Sequence, residues 1–362
     1  MQHMKFNKTQ KSGNFRFVLL IPAVLLSFCF IIFAEMWYSK AKSRTRLQTV
    51  EVLLKQKQET LLASYRRNKE QLRKKDNVIK DLSIKFKLAA TRIQNLSLQL
   101  ETRRNRLNNL PMIYAIMPTH TRVQQKAELT RLSQTFLHLF KFHWIVVEDS
   151  TKKTRLVGNL LRNSGVSFTH LCVSTPSDAQ LNVGGLVRTS AKGVEQRNKG
   201  ISWLRNNVDP ATQDGVVYFA DDDNTYHLRI FEEMRRTRKI SVWPVGLVGD
   251  QRYTAPIVKN GKVTRWRVSY DPIRKFAIDM AGFAMNLRLF FEIPDLQFSH
   301  YTRPGSQESY IISKTNITLN ELEPLADNCT KVLVWHTRTI SPDLTKEDAM
   351  KAKFGPDFID EV

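Results

Sequence analysis

Residues 39–110 contain neither proline nor glycine. A stretch that long, rich in Lys, Gln, Leu and Arg, holds no helix breaker and many good helix formers, so it is predicted to be a helical stem outside any folded core. Apolar residues return every seventh position at Leu72, Ile79, Phe86, Ile93, Leu100 and Leu107, with Leu82, Ala89, Leu96 and Leu110 three positions later. Such a seam predicts a coiled coil and hence a homodimer. Lys75 and Arg103 interrupt the companion row, and Leu47, Leu54 and Leu61 run out of phase with the later set, as in a stutter. An extended, partly helical spacer is the plainer alternative.

The stem also explains the charge. The chain carries a net +22, which by itself points to nucleic acid. The first 110 residues hold 23 Lys/Arg against 7 Asp/Glu, and the remaining 252 carry only +6 with no aromatic-interleaved basic motif. No nucleic-acid partner is therefore expected. The cysteines Cys29, Cys172 and Cys329 form no CxxC pair, which argues against a structural zinc site.

Before the stem, residues 17–34 form an uncharged run between Arg16 and Glu35. As a helix it is ~27 Å long, enough for a thin bilayer. Trp37 and Tyr38 follow where an aromatic belt lies, and no small-x-small cleavage site is present. A single-pass, uncleaved signal anchor is predicted over a cleaved leader or a buried helix. Flanking charges nearly balance, so orientation rests on the sequons Asn95-Leu-Ser, Asn316-Ile-Thr and Asn328-Cys-Thr, all C-terminal to the run. Their glycosylation requires a lumenal C-terminus, a type II arrangement that leaves Asn7 unmodified. The expected order is cytosolic tail 1–16, anchor 17–34, stem 35–110, catalytic domain 111–340 and C-terminal tail 341–362.

After Pro111 the pattern becomes short apolar runs at 113–117, 144–147, 168–173 and 216–220, separated by helical stretches. This predicts an α/β sheet with crossover helices, whose ligands lie beyond the carboxyl ends of the strands. Two runs end in acids there, one in Glu148-Asp149 and one in Asp221-Asp222-Asp223. Three adjacent carboxylates repel one another, so a cation is expected beside them, most simply a hard divalent ion with oxygen ligands. A solvated acidic turn capping the next helix reads the same way, and the residues alone leave both open.

The segments GVEQRNK (193–199), YFADDDNTY (218–226), SVWPVGLVG (241–249), IDMAGF (278–283), QES (307–309) and VLVWHTRT (332–339) are long and specific. Through them residues 113–339 resemble the β-1,3-glucuronosyltransferases, glycosyltransferase family 43, which finish the glycosaminoglycan linker tetrasaccharide or build the HNK-1 carbohydrate. The resemblance implies a GT-A fold, Mn²⁺ as cofactor, UDP-glucuronate as donor, a galactose-terminated glycan as acceptor, and a Golgi membrane location. It implies that Asp223 binds the metal, that Asp221 and Asp222 lie along the nucleoside, and that Asp149 recognises uracil. Lys192, Arg197, His336 and Arg338 match donor-side positions, Arg274 and Asp279 acceptor-side positions, and Glu308 the catalytic base. Departures lie at His120, where the family commonly has Tyr, at Lys192 for Arg, at Thr254 for an acceptor-binding Glu, and at Arg303-Pro304, where the usual cation comes one residue later. Two other readings stay open: another galactose-terminated acceptor, or an inactive coiled-coil Golgi scaffold.

Overall fold

The computed structural model describes residues 26–33, 44–176, 181–183, 186–188, 192–303 and 305–355. Of the run expected to span a membrane, only 26–33 is described, and it is helical. The rest of that run, the tail 1–16 and the Trp37-Tyr38 belt lie outside the described residues. Among the described residues no helix is long and apolar enough to cross a membrane. Two compact units divide at residues 98 and 99.

Helix α1, Arg44–Asn108, is 65 residues long and realises the predicted helical stem. Its apolar rows find no cover among the described residues: Ile79, Phe86 and Ile93 are 63%, 76% and 65% exposed. The helix therefore stands on propensity and on local pairs such as Lys74–Glu70 (3.1 Å) and Lys85–Asp81 (2.7 Å), each worth a few tenths of a kcal/mol.

The second unit is built on a seven-stranded mixed sheet. Its strands are β1 (Met112–Thr119), β2 (Phe142–Glu148), β3 (Phe168–Cys172), β6 (Gly215–Phe219), β8 (Ile240–Val242), β12 (Phe283–Asn286) and β13 (Glu323–Pro324), in the order β13-β8-β12-β6-β1-β2-β3. A small hairpin of β4 (Leu181–Val183) and β5 (Leu186–Arg188) stands apart from it. The four apolar runs read from the sequence are β1, β2, β3 and β6, mutually parallel, each within two residues of its expected bounds. They read as continuous apolar runs because β1, β2 and β6 are buried on both faces. Alternate residues feed different cores: Val217 and Phe219 one, Val216 and Tyr218 the other.

The crossovers are α2 (Gln125–Phe136), α3 (Arg155–Asn163) and α4 (Val194–Asn207). β12 runs antiparallel to both β6 and β8, a departure from a purely parallel sheet. A second, five-stranded sheet joins β7 (Thr225–Tyr226), β9 (Val245–Gly246), β10 (Tyr253–Lys259), β11 (Lys262–Arg267) and β14 (Val334–Trp335). Short helices α5 (Leu228–Met234), α6 (Leu289–Glu292), α7 (Gln307–Ser313) and α8 (Glu347–Phe354) complete the unit.

Strand order places the site. From β1 the chain proceeds outward through β2 and β3, then returns to lay β6 on the other side of β1. The reversal makes the carboxyl ends of β1 and β6 a topological switch point, where Thr119 and the Asp221–Asp223 loop meet. A hydrogen bond from Thr119 Oγ1 to Asp222 Oδ2 (2.6 Å) joins the two.

Candidate active site

The acid loop is held by its backbone as well as its side chains. The Tyr226 hydroxyl donates to the Asp221 carbonyl (2.8 Å) and accepts from the Asp221 amide (2.9 Å). Pairing of β7 with β14 brings Thr337 beside the loop, and its hydroxyl donates to the Asp223 carbonyl (2.6 Å), as does Arg131 Nη2 (2.9 Å).

The three carboxylates have different fates. Asp222 is 8% exposed and is bound by Arg122 Nη2 at 2.7 Å as well as by Thr119. Asp221 accepts from Arg197 Nη2 at 2.7 Å. The cations expected beside the acids are thus in part the protein's own guanidiniums, which the sequence reading did not foresee. Asp223 has no side-chain partner among the described residues. Burial, then repulsion from Asp221 and Asp222, pushes its carboxyl up to about 6.

Arg197 links several parts of the site. Its Nη1 donates to the Lys192 carbonyl (3.2 Å) while its fork reaches Asp221, and it lies 5.9 Å over the Phe298 ring. Gly193, the residue before α4, has φ +77°, and a Cβ there would sit 2.6 Å from Arg197 Nη1. Only glycine combines that backbone with that approach.

His336 follows β14. Its amide donates to the Gly246 carbonyl (2.9 Å), and Gly246 leaves room for Trp335, whose Cδ1 would lie 2.4 Å from an added Cβ. The His336 Nδ1 is 3.9 Å from Asp279 Oδ2, and its charge acts on both Asp279 and Asp223. Burial raises the Asp279 carboxyl, with His336 opposing.

Glu308 opens α7. Its Oε2 is sealed from solvent without a hydrogen-bond partner. Burial first, and the Asp279 charge second, push its carboxyl up to about 7, against the pull of Arg274 and Arg197. Arg274 Nη1 donates to the Gly305 carbonyl and its guanidinium lies 5.3 Å over Tyr270. Fields and contacts thus join Asp221, Asp223, Arg197, His336, Asp279, Glu308 and Arg274 into one cluster, although they come from five separate segments.

Asp149 lies at the end of β2, where its two oxygens accept from the Thr175 amide and hydroxyl, both at 2.7 Å. Beneath it, burial would raise Glu148, but hydrogen bonds from His170 and Thr154 bring it below the usual range. His120, Lys192 and Arg338 are exposed, and Thr254 is buried within β10. Arg303 pairs with Asp271 at 3.3 Å. Asn316 and Asn328 are exposed in turns of positive φ, and Asn95 is exposed on α1.

Arg122, Glu128, Thr119, Arg131 and Thr337 were missed by sequence reasoning. Thr119 ends β1, and Arg122, Glu128 and Arg131 follow it, so the switch-point rule flags that stretch once the strand order is known. A cleft of about 630 Å³, lined by Asp214, Arg238, Lys239 and Arg288 among others, lies instead at the amino ends of β6 and β8. It shares no residue with the acid loop, and the clustered acids and cations lie at the carboxyl ends.

Among the described residues no group of three or more His, Cys, Asp or Glu is arranged to hold a metal ion. A single free, half-buried carboxylate raised by its neighbours still fits a hard divalent cation that draws its other oxygens from a bound diphosphate and water.

A polar cluster at the switch point of an α/β sheet defines an enzyme whose ligand sits against the strand ends. The profile of Glycosyltransferase family 43 matches residues 132–340. Galactosylgalactosylxylosylprotein 3-beta-glucuronosyltransferase 1 of Rattus norvegicus is 50% identical over 243 residues, 66% of this chain and 72% of that protein. The Homo sapiens enzyme 2 of the same name is 50% identical over 240 residues, again 66% and 72%. The chain belongs to glycosyltransferase family 43. A distant likeness to S. aureus TarS 1-349 in complex with UDP-GlcNAc, with TM-score 0.41 and 14% identity over 64% of this chain and 60% of that one, carries no argument.

Proposed function

We propose that the chain is an inverting β-1,3-glucuronosyltransferase of GT-A fold that moves glucuronic acid from UDP-glucuronate to a terminal galactose, the acceptor being the galactosylgalactosylxylosyl linker for which its relatives are named. One observation carries the reading: Glu308 presents a sealed, unpartnered carboxylate oxygen, held near neutrality, within the same charge cluster as the Asp221–Asp223 loop.

In this reading the acceptor hydroxyl points at Glu308. The carboxylate takes its proton as that oxygen attacks the anomeric carbon, and the bond from that carbon to the diphosphate oxygen breaks on the opposite face, inverting the configuration. A base whose pKa lies near the working pH is both available as carboxylate and strong enough to accept. Asp279 and Arg274 orient the galactose. Arg197, Lys192, His336 and Arg338 hold the donor's phosphates and sugar, with Asp149 and His120 at the base and Asp221 and Asp222 along the nucleoside. Asp223 would hold Mn²⁺, which offsets charge gathering on the departing diphosphate.

The same reading places residues 17–34 as a type II signal anchor in the Golgi membrane, the catalytic domain in the lumen, and α1 in a coiled-coil dimer. The full chain is tested with radiolabelled UDP-glucuronate, UDP-glucose and UDP-galactose on galactose-terminated acceptors. Transfer is expected from UDP-glucuronate alone, and is expected to be lost in EDTA and in Asp223→Ala. Equal transfer from another donor overturns the donor assignment, and full activity in EDTA overturns the metal.

A further inference from the structure

Neither the fold nor the chemistry accounts for the charge of the stem. On α1, Arg66, Arg73, Lys80 and Lys87 recur at seven-residue intervals, one position after the apolar row Tyr65, Leu72, Ile79 and Phe86. Seven residues fall ~20° short of two turns, so the four cations form one slowly drifting row. Their axial spacing is ~10.5 Å and the row is ~32 Å long. All four are exposed, and among the described residues none has an acidic partner. Arg67 and Lys69 flank the row. Of the acids along this stretch, Glu70 and Asp81 are matched by Lys74 and Lys85 at 3.1 and 2.7 Å. Asp76, between Arg73 and Lys80, is an acid set beside the row itself, yet the face keeps a net positive charge. In heptad terms the row occupies an outward position, so it stays open when the apolar seam is covered by a second stem.

We infer that this face of the stem binds a linear anionic polysaccharide, one bearing uronate or sulfate groups along its length. Charge complementarity and repeat argue for it. Unmatched cations at a regular pitch along a straight rod fit a chain that carries anions at intervals, whereas a single compact anion needs converging donors. The inference rests on the proposed activity, whose product is a glycan carrying a new carboxylate. A cationic stem would then hold anionic chains built onward from that product, and not the neutral galactose-terminated acceptor itself. Polyanion binding of this kind releases counterions and weakens steeply with salt.

The test uses the full chain in detergent, with heparin as the probe and vesicles containing phosphatidylserine as the competing surface. Binding is followed by fluorescence anisotropy across a salt series. The fourfold variant R66Q/R73Q/K80Q/K87Q keeps good helix formers. It should lose about tenfold or more in heparin affinity near physiological salt and show a shallower salt slope. R66K/R73K, which preserves charge, should bind like the parent. Transfer to a short galactose-terminated acceptor should be the same in all three, which separates failure here from failure of the proposed activity. Unchanged heparin affinity in the fourfold variant, with helicity intact by circular dichroism, overturns the inference. So does tighter binding to the vesicles than to heparin, which would make the face a lipid contact.

Discussion

The pKa of Glu308 sets up opposing demands on stability and catalysis. Its folded value of about 7 stands above the ordinary 4.5. For an acid raised in this way, the folded state binds the proton more tightly than the unfolded state. Native stability therefore falls as pH rises from about 4.5 to about 7, by on the order of 3 kcal/mol at most. Glu308→Gln removes that charge, so its melting temperature relative to the parent should rise between pH 5 and pH 8. Activity should move the other way: kcat falls about 10²–10⁴-fold while KM changes little. The parent's rate should climb with an apparent pKa near 7, and the variant should lose that limb. A variant within a few-fold of parental turnover, where chemistry limits the rate, would shift the role to Asp279. Arg122 poses the converse case. It compensates two nearly buried carboxylates, Asp222 and Glu128. Arg122→Met leaves both uncompensated and should destabilise by about 3–5 kcal/mol. Urea unfolding at neutral pH checks this. Adding Glu128→Gln should recover part of the loss, because it deletes one of the stranded charges.

At the scale of elements, the entry into α4 decides whether Arg197 reaches Asp221. Gly193→Ala must place a Cβ at φ +77° and 2.6 Å from that guanidinium. The strained backbone costs about 1 kcal/mol, and displacement of Arg197 adds a functional loss. UDP affinity measured by calorimetry should drop more than the melting temperature alone accounts for. An unchanged affinity would show that Arg197 is held by other contacts. The elements most legible in the sequence were those with one simple period: the breaker-free stem and the apolar runs that became β1, β2, β3 and β6. The short strands β7, β9 and β14 were not legible. Two residues carry no periodicity, and these strands exist because Tyr226 pairs with Val334 and Trp335 closes on Gly246 once the chain has folded. The acids after β6 announced themselves as a run. Arg122 did not, since its meaning depends on β6 lying beside β1, a pairing between residues about a hundred apart that local pattern cannot supply.

At the scale of the molecule, the stem leaves a physical debt that a second chain can settle. In the single chain Ile79, Phe86 and Ile93 are 63%, 76% and 65% exposed along one side of α1. An isolated helix gains nothing from such a row, whereas pairing two copies buries it, at about 25 cal/mol for each Å² removed from water. Side chains of this size contribute roughly 1.5–3 kcal/mol each when fully buried. Several heptads together therefore favour a dimer even though Lys75 and Arg103 fall within the companion row. The full chain in detergent should sediment as a dimer by analytical ultracentrifugation. Ile79→Asp, Phe86→Asp and Ile93→Asp combined should convert it to a monomer, because three carboxylates would have to lose their water in the seam. The cationic row on the other side of the helix is untouched by these changes, so heparin affinity per chain should persist while the two-chain avidity is lost. A parent chain that sediments as a monomer at micromolar concentration would remove the coiled coil and leave the stem as a solitary spacer.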